Sequence, residues 1–253
     1  MIPSNNPRFA PGGPGIEPRW TRGTKAAIGT AYSTSSRVWY TLDDSCVTEV
    51  YYPTIDSPQI RDLQFLVTDG ENFFHDERRN FVGEIDCISE AALGFSATNR
   101  EKNGLYTIHK TILGDPHQNC LLIETYLEAP PELLSKLRMY VLCAPHLEIG
   151  GWHNNGEVLR LDGHTVLVAS KGDTWLVIGA TVPFTDCSCG YVGVNDGWTD
   201  LADNYRLDWQ YDAVLDGNIA LTPASISPGV ANSRSVWHSA RLSTTPLARW
   251  RSR

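Results

Sequence analysis

The sequence predicts an all-β protein built as an antiparallel sandwich, and three observations support this fold class. Roughly a dozen short runs of apolar or alternating residues lie between residues 36 and 194. Turn-forming residues separate these runs at short intervals, as they do in sandwich domains. Before residue 196, no long stretch combines helical periodicity with capping residues, which argues against a doubly wound α/β fold.

The predicted strands follow one another as RVWYTL, VTEVYY, LQFLVTD, EIDCIS, LYTIHKTIL, CLLIETYLEA, LRMYVLCA, EVLRLDG, HTVLVAS, TWLVIGAT and YVGV. Two of them have one apolar face, formed by Tyr106, Ile108 and Ile112 in the first and by Leu121, Ile123 and Leu127 in the second. Because side chains alternate between the two faces of a strand, Glu124 and Glu128 are expected on the solvated face.

Turn and helix signals divide these runs. Glycine follows Asn or Asp in four pairs that predict turns with positive φ, namely Asp69-Gly70, Asn103-Gly104, Asn155-Gly156 and Asp162-Gly163. The segment PELLSKL after Pro130 predicts one helical turn. Between residues 196 and 209 the period changes, since Trp198, Leu201 and Tyr205 recur at helical spacing after the candidate N-cap Asp196. One or two short helices are predicted there.

The two ends of the chain differ in composition from the body, residues 25–222. Residues 1–24 contain five prolines, which predict an extended lead-in lying against the body. Residues 223–253 contain five arginines, no acidic residue and no clear strand alternation. We expect this basic tail to be disordered or to result from a frameshift that truncates a longer protein, the alternative being a natural solvated tail.

Charge and cysteine content limit the classes of partner. The net charge is −8, and residues 1–222, which exclude the basic tail, carry −13. Such a surface repels phosphate backbones, so neither nucleic acid nor a membrane surface is an expected partner.

The N-terminus has no basic region followed by an apolar run, which predicts a cytoplasmic protein. If the start is misassigned, the protein is instead periplasmic or secreted. Six cysteines are too few for a disulfide scaffold and are expected to be reduced.

The loop GGWHNNGE, residues 150–157, is the best candidate for a sugar contact. Trp152 could stack on a pyranose face, while His153, Asn154 and Asn155 could form hydrogen bonds. The alternative is a surface hairpin with a turn-forming Asn-Gly pair.

Other polar clusters carry weaker signals. The carboxylates between Asp196 and Asp208 could attract a hard cation, but helix capping, solubility and an interface with a partner domain explain them better. His109 and His117, and the thiols Cys187 and Cys189, lack the further ligands that a zinc site needs. No metal and no cofactor are predicted.

Five blocks of sequence resemble the N-terminal domain of bacterial glucoamylases and glucodextranases of glycoside hydrolase family 15. They lie at residues 37–56, 61–80, 106–119, 141–151 and 190–222, and the last, GYVGVNDGWTDLADNYRLDWQYDAVLDGNIALT, is the most distinctive. The resemblance implies an antiparallel super-β-sandwich of galactose-mutarotase-like type. It also implies a following (α/α)6 barrel that holds both catalytic carboxyl groups, so no catalytic residue is assigned to this chain.

The resemblance predicts a non-catalytic domain that supports such a barrel in carbohydrate metabolism. Trp198, Tyr205 and Trp209 are the expected contacts with the barrel. One alternative is a free-standing carbohydrate-binding module that takes an α-glucan or oligosaccharide. A second is a mutarotase-like enzyme, for which His146 with Glu148, or His109 with Glu124, would supply the acid and the base.

Overall fold

The structure is a computed structural model that describes residues 8–226 and 236–244. In chain order its strands are β1 (Ala27–Thr30), β2 (Trp39–Asp43), β3 (Cys46–Tyr51), β4 (Pro58–Thr68), β5 (Phe74–Asp76), β6 (Phe81–Ser89), β7 (Gly94–Glu101), β8 (Thr107–Gly114), β9 (Cys120–Glu128), β10 (Arg138–Pro145), β11 (Asn154–Leu161), β12 (His164–Lys171), β13 (Thr174–Ala180), β14 (Cys187–Tyr191), β15 (Ala213–Gly217), β16 (Ile219–Ile226) and β17 (Val236–Ser243). The helices are α1 (Glu77–Asn80), α2 (Pro131–Leu134) and α3 (Gly197–Asn204), and a 3-10 turn covers Leu147–Ile149.

The strands form two antiparallel sheets packed face to face, which confirms the predicted sandwich. The eight-stranded sheet has the order β1-β2-β3-β4-β10-β16-β14, with β5 paired to one end of β4. The nine-stranded sheet has the order β15-β11-β12-β13-β17-β9-β8-β7-β6. None of the helices in the described part of the chain has the length and hydropathy needed to cross a bilayer.

The core lies between the sheets and follows the alternation read from the sequence. All six residues of the two predicted apolar faces are buried, on β8, on β9 and at Tyr106 just before β8. Glu128 projects from the opposite face with most of its side chain exposed. A second apolar layer covers the outer face of the eight-stranded sheet, where Leu201 of α3 and Leu207 pack on Tyr140 of β10.

Most of the turn and helix predictions are confirmed. Gly70, Gly104 and Gly163 all have positive φ, and α2 and α3 form where one helical turn and a short helix were predicted. Asp196 caps α3 by accepting a hydrogen bond from the backbone N–H of Thr199 at 2.8 Å. The short helix α1 was not predicted.

The expected Asn155-Gly156 turn is wrong, because β11 has already begun at Asn154. Gly156 lies between two paired strands, opposite Ala169 of β12 on one side and Val214 of β15 on the other. A Cβ atom at this glycine would lie 2.9 Å from Val214 and 3.0 Å from Ile219. Close packing between the sheets, not a turn, therefore requires glycine here.

The expectation of a disordered tail from residue 223 is wrong for the part of it that the structure describes. β16 continues to Ile226, and β17 lies between β13 and β9 near the middle of the nine-stranded sheet. Ala240 and Leu242 are buried from this strand. A strand with few alternating apolar positions gives little signal in the sequence. β17 is identified as a strand only by its pairing with β13 and β9. Residues 227–235 and 245–253 lie outside the described residues.

From Arg8 onward, the lead-in lies against the sandwich. Phe9 forms a parallel bridge with Ala213 of β15, and the N–H of Ile16 donates to the carbonyl of Val192, just after β14. Between these contacts the carbonyl of Pro14 accepts from the N–H of Asn218 at 2.8 Å. The lead-in therefore crosses the side of the sandwich where β15 and β14 form the sheet edges. Residues 1–7 lie outside the described residues.

Candidate functional site

The predicted sugar-contact loop is a strained connection between β10 and β11. Glu148, Ile149 and His153 all have positive φ, which is unusual for non-glycine residues and especially for a β-branched one. Trp152 keeps 37% of its surface exposed and Ile149 53%. The loop therefore presents two apolar side chains to solvent on a fixed backbone.

Two of the four residues proposed to contact sugar hold this loop in place. Asn154 is fully buried: its Oδ1 accepts from the N–H of Leu147 at 3.0 Å and its Nδ2 donates to the carbonyl of Gly150 at 3.0 Å. Asn155 accepts from the N–H of Asp216 at 3.0 Å and donates weakly to the carbonyl of Ser170. Their amides are used within the chain, which leaves Trp152 and His153 facing solvent.

His153 is paired with Asp216, a residue that the sequence did not associate with this loop. Nδ1 of His153 lies 2.6 Å from Oδ1 of Asp216, and both side chains are about three-quarters exposed. Asp216 is the penultimate residue of β15 and has positive φ. The two residues lie 63 positions apart, and the pairing of β11 with β15 brings them together. Trp152, His153 and Asp216 thus form an exposed aromatic and polar group of the kind that can contact a sugar.

His146, one of the proposed acid or base residues, is enclosed by the lead-in. Its ring packs against Trp20 with centroids 4.7 Å apart, and only 1% of the residue is exposed. Burial lowers the pKa of His146 to about 4, helped by the nearby Arg61 guanidinium. The ring is therefore neutral at physiological pH and shielded from solvent, and Glu148 faces the Gly172 turn instead.

His109, the other proposed acid or base residue, stands on the outer face of the nine-stranded sheet, beside Thr107 and Thr111 as the alternation predicts. Its Nε2 lies 2.8 Å from Oε2 of Glu128, and its ring stacks on Tyr126 at 4.6 Å. A shallow hollow of about 130 Å³ next to it includes Glu124 and Ser96 in its lining. The partner of His109 is thus Glu128, not Glu124.

The three aromatic residues proposed as interface contacts are half-buried and lie close to α3 on the outer side of the eight-stranded sheet. Nε1 of Trp198 donates to Oδ2 of Asp76 at 3.1 Å, and the guanidinium of Arg79 stacks on its ring at 4.6 Å. The carbonyl of Tyr205 accepts from Thr68, and the carbonyl of Trp209 accepts from Ser188. The chain itself thus holds the side chain of Trp198 and the backbone at Tyr205 and Trp209.

The acidic cluster around α3 organises the chain locally. Asp196 caps the helix, and Oδ2 of Asp200 accepts from the N–H of Trp209 at 2.6 Å. Burial raises the pKa of the Asp200 carboxyl. Asn204 donates to Asp208 at 2.9 Å. No group of three or more His, Cys, Asp or Glu side chains suited to a metal occurs within residues 8–226 and 236–244.

A buried ion pair joins the two sheets, and sequence reasoning missed it. Nζ of Lys110 lies 2.5 Å from Oε1 of Glu77, and both side chains are at most 2% exposed. Glu77 also accepts from Asn99 at 2.5 Å and from the N–H of Phe65 at 2.7 Å, while Lys110 donates to the carbonyl of Ser45. Lys110 occupies a core position between Ile108 and Ile112, where strand alternation alone would predict an apolar residue. The buried positive charge of Lys110 is explained by its partner Glu77, which belongs to α1.

All six cysteines are free, and Cys87 is the exposed one among them. Burial raises the pKa of the Cys187 thiol to about 12, with a further contribution from Asp186, and burial also raises the pKa of Cys189 well above its ordinary value. Both side chains belong to the core, on one face of β14, where a thiol behaves as a small apolar group.

Comparisons with known proteins identify the family of the chain. It matches the family described as "Glucodextranase, domain N" over residues 10–235. A glucoamylase from Clostridium sp. (strain G0005) is 33% identical over 207 residues, which are 82% of this chain and 29% of the glucoamylase. The crystal structure of a bacterial glucoamylase complexed with acarbose superposes with a TM-score of 0.88 and 29% identity, over 95% of this chain and 35% of that chain. This chain thus spans about a third of the length of both glucoamylases.

Proposed function

Because the chain belongs to the glucodextranase N-domain family, we propose that it is the non-catalytic N-terminal domain of a glucoamylase- or glucodextranase-like α-glucan hydrolase. In this role it folds beside an (α/α)6 catalytic barrel and stabilises it. The observation that carries the proposal is the extent of the superposition, since nearly the whole chain matches one third of a bacterial glucoamylase.

The roles of the acidic residues agree with a supporting domain. Hydrolysis with inversion uses two carboxyl groups about 6.5–9.5 Å apart, one protonating the leaving group and the other activating water. Seven carboxyl groups are buried in this chain, and each binds a lysine, an arginine or a backbone N–H: Glu49, Asp62, Asp76, Glu77, Glu101, Asp196 and Asp200. These groups stabilise the sandwich, and in this proposal the reacting pair belongs to the barrel.

The surface around α3 is the proposed contact with the barrel. Trp198, Tyr205 and Trp209 are half-buried, so each offers apolar area to a partner. Asp76 and Arg79 already hold the Trp198 side chain, which lowers its cost in side-chain entropy on binding. The carboxylates Asp203 and Asp208 surround them as a polar rim.

A domain exchange tests this function. The N-terminal part of the Clostridium glucoamylase that this chain matches is replaced by residues 8–253, and the chimera is compared with the same enzyme lacking any N-terminal domain. We expect the chimera to hydrolyse α-glucan and to survive heating that inactivates the shortened enzyme. Glucose release from starch or dextran by the chain alone, or equal thermal stability of the two enzymes, would contradict the proposal.

A carbohydrate-binding module is the second candidate, and the exposed group Trp152, His153 and Asp216 favours it. Calorimetric titration with maltooligosaccharides and isomaltooligosaccharides separates the two candidates. Saturable binding that Trp152→Ala abolishes, and that the distant control Tyr126→Ala preserves, would establish a module. A supporting domain predicts no heat of binding in any of these titrations.

A further inference from the structure

The two sheets leave a long edge strand uncovered on the side opposite the lead-in. β6 ends the nine-stranded sheet, and among the described residues it pairs only with β7. Six of its nine residues are exposed, including Val82 at 61% and Ile88 at 52%. The outer row of N–H and C=O groups on such a strand can pair with another extended chain.

A hollow lies beneath this edge, between β6 and the eight-stranded sheet. It has a volume of about 480 Å³, and Ile85, Cys87 and Phe95 form its apolar part. Asp43 and Asp44 in the β2–β3 turn line its rim. The hollow faces the inner side of β6, where a strand paired to β6 would direct every second side chain. Sites of about 300–1,000 Å³ accommodate a drug-sized ligand, so one or two large side chains fit here.

The other face of β6 is acidic. Glu84 and Asp86 project from it on alternate positions, and both are exposed. Arg100 of β7 lies 2.8 Å from Glu84, so this pair is neutral as a unit, while Asp86, Asp43 and Asp44 leave the edge with a net negative charge. A second strand beside β6 would place its own side chains directly opposite these carboxylates.

We propose that β6 binds an extended segment of a partner chain in which basic residues alternate with apolar ones. The main chains pair edge to edge, as in other complexes formed by β-strand addition. The basic side chains meet Glu84 and Asp86 on the outer face, and the apolar side chains enter the hollow beside Ile85 and Phe95. Affinity comes from the main-chain hydrogen bonds and specificity from this alternation.

A second copy of the same edge fits poorly in the antiparallel register centred on Ile85. Antiparallel pairing of β6 with itself about Ile85 would set Glu84 of one copy opposite Asp86 of the other, twice. Like charges directly opposite one another destabilise a sheet. The charge of this strand thus selects a partner of the opposite sign.

A charge exchange tests the proposal with two designed peptides, acetyl-KVRWKVR-amide and acetyl-EVEWEVE-amide. We expect fluorescence anisotropy to show saturable binding of the basic peptide to the whole chain. The double variant Glu84→Lys, Asp86→Lys should weaken this binding by at least about tenfold and gain binding of the acidic peptide. Glu157→Lys with Asp173→Lys makes the same change of charge on distant exposed positions and should leave the basic peptide bound.

Amide hydrogen exchange distinguishes strand addition from general attraction between charges. The bound basic peptide should slow exchange along β6 and leave β11 unchanged. Binding that the control variant weakens equally, or that leaves exchange in β6 unaffected, would overturn the proposal. Residues 247–253, LARWRSR, have a similar alternation in sequence. Protection of β6 before any peptide is added would therefore also overturn the proposal of a partner chain.

Discussion

On the side where β15 and β14 form the sheet edges, the lead-in covers the sandwich, whereas on the side where β6 and β1 form the edges the described residues leave it open. The covering contacts use mainly backbone hydrogen bonds and apolar side chains, such as Trp20 on His146. The open side has carboxylates on its strands and turns, and the buried Lys110–Glu77 pair behind them. Unwanted pairing with other strands is thus prevented at one pair of edges by the lead-in that covers it, and it is discouraged at the other pair by charge.

Removing β17 should have the largest effect, because it creates new edges in the middle of a sheet. A chain that ends at Ile226 leaves β13 and β9 without their shared partner and loses the buried Leu242. We expect no cooperative unfolding transition, since this loss is comparable with the about 5–15 kcal/mol that stabilises a whole domain. Thermal unfolding followed by circular dichroism measures it. Deleting residues 245–253 alone keeps β17 and is the matched control; a cooperative transition in both chains would contradict the prediction.

Breaking the ion pair behind the open side should have the next largest effect. Lys110→Met leaves the Glu77 carboxylate buried and without its cation, which should lower the free energy of unfolding by about 3–5 kcal/mol. Adding Glu77→Gln removes the unpaired charge and keeps an acceptor for the N–H of Phe65. Urea unfolding should therefore show the double variant to be more stable than Lys110→Met alone. A double variant whose loss equals the sum of the two single losses would indicate that the groups do not interact.

The covered side should be sensitive to acid. The folded-state pKa of His146 is about 4, below the ordinary value of 6.5, so between these pH values the unfolded chain binds a proton that the folded chain does not. The free energy of unfolding should therefore fall as the pH falls from about 6.5 to 4, by a total of about 3 kcal/mol. His146→Phe should lose this part of the pH dependence, and His109→Gln should keep it. Parallel curves for wild type and His146→Phe would refute the assignment.

Charging the open edge should have the smallest effect on stability. Val82→Lys with Ile88→Lys alters two exposed side chains of β6, and surface changes of this kind shift the free energy of unfolding by about 0.5 kcal/mol or less. The variant should also aggregate more slowly on heating, because lysine discourages pairing between edges. Light scattering and urea unfolding measure the two effects. A loss above about 1 kcal/mol would mean that this edge is covered after all.

The alternation of side chains was enough to predict most strands and their buried faces. It succeeded for Tyr106, Ile108 and Ile112 and for the solvated Glu128, because a strand on the surface of a core repeats every two residues. It failed for Asn155-Gly156, where a sequence typical of a turn lies inside β11. Glycine is there because another sheet approaches closely, and sequence spacing carries no information about that neighbour.

At the candidate site, too, the sequence carried no information about neighbours that are distant in the chain. The sequence indicated Trp152 and His153 as exposed, but it assigned Asn154 and Asn155 to a ligand when their amides hold the loop. Asp216 was missed, since 63 residues separate it from His153. A short-range motif identifies the residue types at a site, and only the strand pairing identifies which of them meet.

By itself, the sequence determined the all-β class, the position of α3 and membership of the glucodextranase N-domain family. These features depend on local periodicity, turn chemistry and collinear blocks. The tertiary structure decided which edges are covered, where β17 inserts and why Lys110 is buried. Each of these depends on contacts between residues far apart in the chain, and the free energy of such a contact is set by the neighbours that the fold supplies.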